Sequence, residues 1–285
     1  MKKKEKRKEL IKILYQGPLT LEEAEKLGYY DLLAFLTTHI VGAGGANATL
    51  RLGKMCRLDG NKKVLMIGSG TGLGSLNLAK EYGCSVIGID ISEMMVKRSK
   101  SFLALEGLED KVDFRIGDAR NLEFEDSTFD VVLMEYVVQF FDADAFEEFK
   151  RVLKPGGTIG LNEVVTANDA PPEMLDKFEE IRTIFSDLTG FNFWMRSASE
   201  WNDLLRDAGL REVQMEIMEP QITLKEAFSN LGGFRVLWKI VGKTRKYLKS
   251  PIIKEKLMKQ KEVKLLMRKK ATKKFIGIAL ITGKK

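Results

Sequence analysis

Residues 64–75 read VLMIGSGTGLGS, an apolar run that breaks into glycines alternating with small residues. Glycine allows backbone to turn through positive φ and to approach a ligand closely. A helix opening after such a loop offers its first N–H groups to a carboxylate. The spacing is G-x-G-x-G over Gly68, Gly70 and Gly72, with Ser69 and Thr71 between. The dinucleotide fingerprint needs a glycine where Leu73 stands or, counted from Gly70, where Ser75 stands. No Gly-Lys-Ser/Thr follows, so a P-loop is not indicated either. Two acids extend the pattern. Asp90 closes the run CSVIGID, and its two oxygens suit a pair of ribose hydroxyls. Asp118, followed by Ala119, closes VDFRIGD, where a carboxylate can accept from a purine amino group. Amino acid, sugar and base would then lie across three successive strand ends.

The elements that must hold these residues follow from local pattern. KVLMIG (63–68), CSVIGID (84–90), VDFRIGD (112–118), FDVVLMEY (129–136), TIGLNEVV (158–165), REVQMEIME (211–219) and FIGIALITG (275–283) read as strands. Helices are expected over 75–83, 92–108, 145–154, 171–188 and 199–210, the third stopped by Pro155-Gly156-Gly157. Residues 20–59 read as further helices, opened by Thr20 with Glu23 in a capping-box pattern. Strands alternating with helices require a mostly parallel sheet covered on both faces. The expected fold is α/β, a doubly wound, mostly parallel, seven-stranded Rossmann-like sheet. In such sheets ligands sit beyond the carboxyl ends of the strands.

Composition narrows the classes. The 285 residues contain Cys56, Cys84 and His39 as the only soft metal ligands, too few for a zinc site or a disulfide scaffold. No run of apolar residues is long enough to span a bilayer, and the basic start lacks the apolar stretch of a signal peptide. A cytoplasmic protein is expected. The net charge of +7 is unevenly spread: residues 235–274 hold sixteen Lys/Arg against Glu255 and Glu262. With +4 in residues 1–9 and +2 from Lys284 and Lys285, the body over 10–234 carries −13. Phe234, Leu237, Trp238 and Val241 recur on one helical face beside Arg235, Lys239 and Lys243. Such a segment can dock on the acidic body, lie on an anionic membrane or, as a lesser option, bind nucleic acid.

Taken together, VLMIGSGTG (64–72), VIGIDIS (86–92), FRIGDARNLEFEDSTFDVV (114–132) and RVLKPGG (151–157) resemble the class I S-adenosylmethionine-dependent methyltransferases. The likeness is to their small-molecule group, which includes the ubiquinone/menaquinone and tocopherol C-methyltransferases, and SASEWNDLLRDAGL (197–210) extends it. The resemblance implies S-adenosylmethionine as cofactor. It places the methionine moiety at Gly68 and Gly70, the ribose at Asp90 and the adenine at Asp118, Ala119 and Ile91. Gly44, Gly45 and Thr49 look like the glycine pair and threonine that line the cofactor in related enzymes. Met66 stands where the family usually has an acid, so the methionine amino group must be held otherwise; Gly42-Ala43 replace a frequent His-Pro.

The expected domain plan is an N-terminal helical cap (1–59), a cofactor-binding core (60–168), a helical cap over the acceptor site (169–197), the core continued (198–220), a basic helical insertion (221–274) and a last core strand (275–285). Glu135, Tyr136 and Glu163 close strands that face the acceptor, and His39 precedes the glycine pair with a pKa suited to base work. Tyr29, Tyr30, Phe193 and Trp194 are expected as an aromatic lid. The expected activity is methyl transfer to a small, lipophilic or isoprenoid-type acceptor. Residues 234–274 offer a peripheral contact with an anionic membrane. An RNA methyltransferase and a non-catalytic cofactor-binding protein are the alternatives. Oligomeric state is not legible.

Overall fold

The computed structural model describes residues 19–36, 44–219 and 234–285, without the side chains of 234–240. His39 and the basic residues 1–9 lie outside the described residues. The sheet is built from β1 (Lys63–Ile67), β2 (Ser85–Asp90), β3 (Val112–Ile116), β4 (Phe129–Glu135), β5 (Leu153–Thr166), β6 (Arg211–Met218) and β7 (Ile276–Lys284). Their spatial order is β3-β2-β1-β4-β5-β7-β6. Pairing is parallel except where β7 lies antiparallel between β5 and β6. The chain reverses direction across the sheet between β1 and β4, which opens the crevice where doubly wound sheets bind ligands.

Alternation along the strands explains why both faces must be covered. Leu65 and Ile67 of β1 join Val132 and Met134 of β4 in one core, while Val64 and Met66 join Val131 and Leu133 in the other. The helices that cover them are α1 (Leu21–Glu25), α2 (Tyr29–Leu36), α3 (Gly45–Met55), α4 (Leu73–Tyr82), α5 (Glu93–Glu106), α6 (Ala145–Val152), α7 (Pro172–Thr189), α8 (Ala198–Asp207), α9 (Phe234–Tyr247), α10 (Pro251–Arg268) and α11 (Lys270–Lys273). The capping box expected at Thr20 forms, with Glu23 N–H donating to Thr20 Oγ1 and Thr20 N–H to Glu23 Oε2.

One boundary differs from expectation. Helix α6 ends at Val152, and β5 begins at Leu153, ahead of Pro155-Gly156-Gly157. Leu153 already pairs with Phe129, and the register then jumps to Val131–Thr158, so the Pro-Gly-Gly stretch bulges from a strand already begun. Full burial of Leu153 wins over the local turn signal.

Helices α9 to α11 occupy the span between β6 and β7, and several of their lysines are consumed in docking. Lys256 Nζ donates to the carbonyls of Glu25 and Leu27, Lys243 to that of Phe35, and Lys259 pairs with Asp187. No helix among the described residues is long and apolar enough to cross a membrane.

Candidate active site

The glycine loop leaves β1 and enters α4, and its three glycines do different jobs. Gly68, at φ 66°, has no room for a side chain, because a Cβ there would sit 2.9 Å from a Val137 methyl. Gly72, at φ 82°, would clash with Phe114 and Ser99. Gly70, at φ 53°, faces open space instead. Two glycines therefore permit packing, and the third keeps a ligand space clear. Ser69 N–H donates to Ile89 O, which ties the loop to β2. Its hydroxyl is buried without a partner among the described residues. A buried orphan of this kind beside a cavity is suited to a polar ligand.

Asp90, at the tip of β2, accepts from Gly70 N–H at 2.8 Å and from Ser92 N–H at 3.0 Å. The carboxylate thereby fixes the loop and retains lone pairs for further donors. Burial raises its pKa, and the two backbone N–H groups oppose that rise. Beside it Ile91 is 62% exposed. Asp118 Oδ1 accepts from Arg120 N–H, shaping the turn after β3. Ile91, Asp118 and buried Ala119 border one cavity.

At the tip of β4, Glu135 points into the same cavity next to Met66. A Cβ on Gly74 would meet Met66 Cε at 2.8 Å and Glu135 Oε2 at 2.9 Å, which puts the carboxylate over the first turn of α4. Thr49 Oγ1 donates to Glu135 at 2.8 Å and Asn162 Nδ2 donates at 2.8 Å. Burial raises the pKa of Glu135, while those two donors favour its charged form. Tyr136 follows at φ 58°, a conformation rare for a non-glycine residue. Its hydroxyl accepts from Gly44 N–H at 3.1 Å. Gly45 and Thr49 border the cavity, whereas Gly44 reaches it through Tyr136.

Glu163 does not line this cavity, contrary to expectation. It is fully buried, and its Oε1 accepts from Val137 and Val138 N–H at 2.9 and 2.8 Å. The alternation of β5 is the reason: Asn162 and Val164 face the cavity, so Glu163 faces the opposite layer. Burial pushes its pKa up to about 8, despite the two N–H donors and nearby Arg196. The residue anchors the turn that carries Tyr136.

The cavity encloses about 920 Å³, near the upper end of ordinary ligand pockets. Its second half is aromatic. Tyr30 contacts Tyr29 (centroids 5.1 Å apart), Tyr29 contacts Phe185 (5.8 Å), Phe185 contacts Phe193 (4.6 Å), Phe193 contacts Phe140 (5.7 Å), and Phe140 returns to Tyr30 (6.1 Å). Five rings from three separate stretches thus close a circuit. Burial drives the Tyr30 pKa far up, so this phenol stays a hydroxyl donor. Trp194, expected in the lid, is 42% exposed and lies against Arg182 and Arg196 instead. Residues of α10 that sequence reading missed complete the wall: Gln260, Val263, Lys264 and Met267. Their i, i+3, i+4, i+7 spacing was the available signal.

A doubly wound sheet with three polar strand tips at one cavity is the arrangement in which such folds take a ligand at the switch point. Residues 65–161 match the family described as methyltransferase domain. A Haemophilus influenzae protein described as uncharacterized is 26% identical over 202 residues, covering 67% of this chain and 77% of that one. Ajmaline N-methyltransferase of Rauvolfia serpentina is 30% identical over 179 residues, 60% of this chain and 62% of that one. Phosphoethanolamine N-methyltransferase 2 of Haemonchus contortus, solved with S-adenosyl-L-methionine, superposes with a TM-score of 0.62 at 20% identity, covering 97% of this chain and 60% of that one. The chain thus spans about three fifths of the two named methyltransferases. The likeness to a methyltransferase domain is carried by residues 65–161, and the Haemonchus contortus neighbour is one solved with S-adenosyl-L-methionine.

Proposed function

We propose that the protein transfers a methyl group from S-adenosylmethionine to a small lipophilic acceptor held in the aromatic half of the cavity. The observation that carries this reading is continuity: the strand-tip crevice and the ring circuit border one cavity. The named relatives, an ajmaline and a phosphoethanolamine N-methyltransferase, support a small-molecule acceptor.

The residues fit the cofactor. Gly68, Ser69 and Gly70 would hold its methionine end, with Thr71 and the α4 N-terminus beyond them. Asp90 would hold the ribose, and Ile91, Asp118 and Ala119 the adenine. Glu135 would take over the work of the acid missing at Met66: it comes from the neighbouring strand, and the Thr49 and Asn162 donors favour its charged form for an ammonium. The bound cofactor supplies an electrophilic methyl group on a sulfonium. The chain's part is to align the acceptor, and orientation of this kind can lower a barrier by roughly 7–11 kcal/mol. The ring circuit excludes water from the acceptor atom. Tyr136, fixed by Gly44 and by the Glu163-anchored turn, is the side chain at the junction of the two halves.

The reading extends to isoprenoid-type acceptors drawn from an anionic membrane surface in the cytoplasm. Ile252, Met258 and Leu265 of α10 are exposed apolar residues among lysines, as peripheral contact requires.

Calorimetry with S-adenosylmethionine and its demethylated product tests the first half of the proposal. Release of that product with lipophilic amines or quinols present tests the second. Binding followed by turnover is expected. Absence of binding removes the reading; binding without turnover on any lipophilic acceptor favours a non-catalytic cofactor protein.

A further inference from the structure

Helix α10 brings to the acceptor half a charge that no described residue there balances. Gln260, Val263, Lys264 and Met267 form one face of the helix and border the cavity. Val263 is buried against Ile181 of α7, and Met267 packs on the same cluster. Lys264 stands between them, an exposed side chain that borders the cavity.

Other lysines of α10 that meet the body have partners. Lys256 donates to two carbonyl oxygens, and Lys259 pairs with Asp187 and Glu255. Lys264 has no ion pair or hydrogen bond among the described residues, and Arg268, one turn on, adds a like charge. The acids bordering the cavity are engaged elsewhere: Asp90 with the glycine loop, Glu135 with Thr49 and Asn162, Asp31 with the Ser92 hydroxyl, Asp118 with the Arg120 N–H. Desolvation of part of the side chain and the like charge of Arg268 lower the pKa of Lys264. The surrounding wall is apolar, so an anion meeting this ammonium would be less screened than in open solvent.

Resting on the methyltransferase reading, we infer that the acceptor is an amphipathic acid. Its apolar body lies within the ring circuit, and its carboxylate or phosphate group meets the Lys264 ammonium. Lys264 is then a specificity-determining residue supplied by the insertion between β6 and β7, and it acts on the acceptor alone.

The test uses one apolar body with three head groups: 2-naphthoate, 2-naphthyl phosphate and the neutral 2-naphthamide. Each is titrated calorimetrically into the full chain saturated with S-adenosylhomocysteine, for the wild type, Lys264→Met and Lys264→Gln. The wild type is expected to bind at least one of the acids about tenfold or more tighter than the amide, as a charge-assisted contact provides. Both variants should lose that preference and keep the amide affinity. The better of the two acids tells a carboxylate site from a phosphate site. Equal wild-type affinities for acids and amide, a preference that survives both substitutions, or no naphthyl binding at all would overturn the inference. S-adenosylhomocysteine affinity is measured in parallel. If it persists in the variants while the acid preference is absent, only the acceptor assignment fails; if the wild type lacks it, the methyltransferase reading fails.

Discussion

The two halves of the cavity are built on different principles. The cofactor half is made largely of backbone, at the tips of β1, β2 and β3, where glycines clear space and Asp90 ties loop to strand. The acceptor half is made of side chains on α2, α7 and α10 and on the turn after β4. Backbone at strand tips is held by the sheet itself, so its geometry follows from topology. Side chains on helices depend on how distant segments dock, so their geometry follows from packing. The first half suits a constant ligand and the second a particular one.

Substitutions can break this division or sharpen it. The largest effect is expected from Asp90→Ala, which removes a carboxylate from both the loop and the ribose position. Binding of S-adenosylhomocysteine should weaken by about 100-fold or more, and an unchanged calorimetric affinity would show that the strand tip does not hold the sugar. Glu135→Gln should follow, with a loss of about 10- to 100-fold in the same measurement and no change in naphthyl-probe binding. If Glu135→Gln moved the probe instead, the carboxylate would belong to the acceptor half.

Phe185→Ala opens the ring circuit. It should weaken binding of the naphthyl probes by about 1–2 kcal/mol through lost aromatic contacts, leaving S-adenosylhomocysteine affinity intact. A cofactor effect of similar size would dissolve the boundary between the halves. The smallest effect near pH 5 is expected from Glu163→Gln. The fold raises the Glu163 pKa from 4.5 to about 8, so its stabilising contribution is complete below about 4.5 and drains away as pH rises to about 8. Gln stays neutral and still offers an oxygen to Val137 and Val138 N–H. Urea midpoints for the variant should therefore fall less between pH 5 and 8 than those of the wild type, and parallel curves would refute the assignment.

How much of this was legible depended on the same division. The strands, and the placement of the residues from Gly68 to Ala119 at their tips, could be read because each lies within a few positions of an apolar run that reveals it. The placement of Glu135 beside Met66 was only half legible: it needed the β1–β4 register, which puts Glu135 one side-chain repeat beyond Leu133, the partner of Met66. Glu163 was misread because an acid near a strand end looks alike on either face; the pleat decides, and the start of β5 at Leu153 was not foreseen. The ring circuit joins Tyr29 to Phe193 across more than half the chain, a closure that depends on helix docking. Tyr29, Tyr30 and Phe193 were noticed as aromatic; Phe140 and Phe185 were not.

The wall that carries Lys264 does not end as a free arm. Beyond α10 the chain passes through the single turn of α11 directly into β7, which is hydrogen-bonded along both edges, to β5 on one side and β6 on the other. That strand is a clamped rail. Admitting a substrate by lifting α10 cannot drag the rail along without tearing two ladders, so the displacement has to be taken up in Lys269–Phe275 and, at the far end, around Ser250.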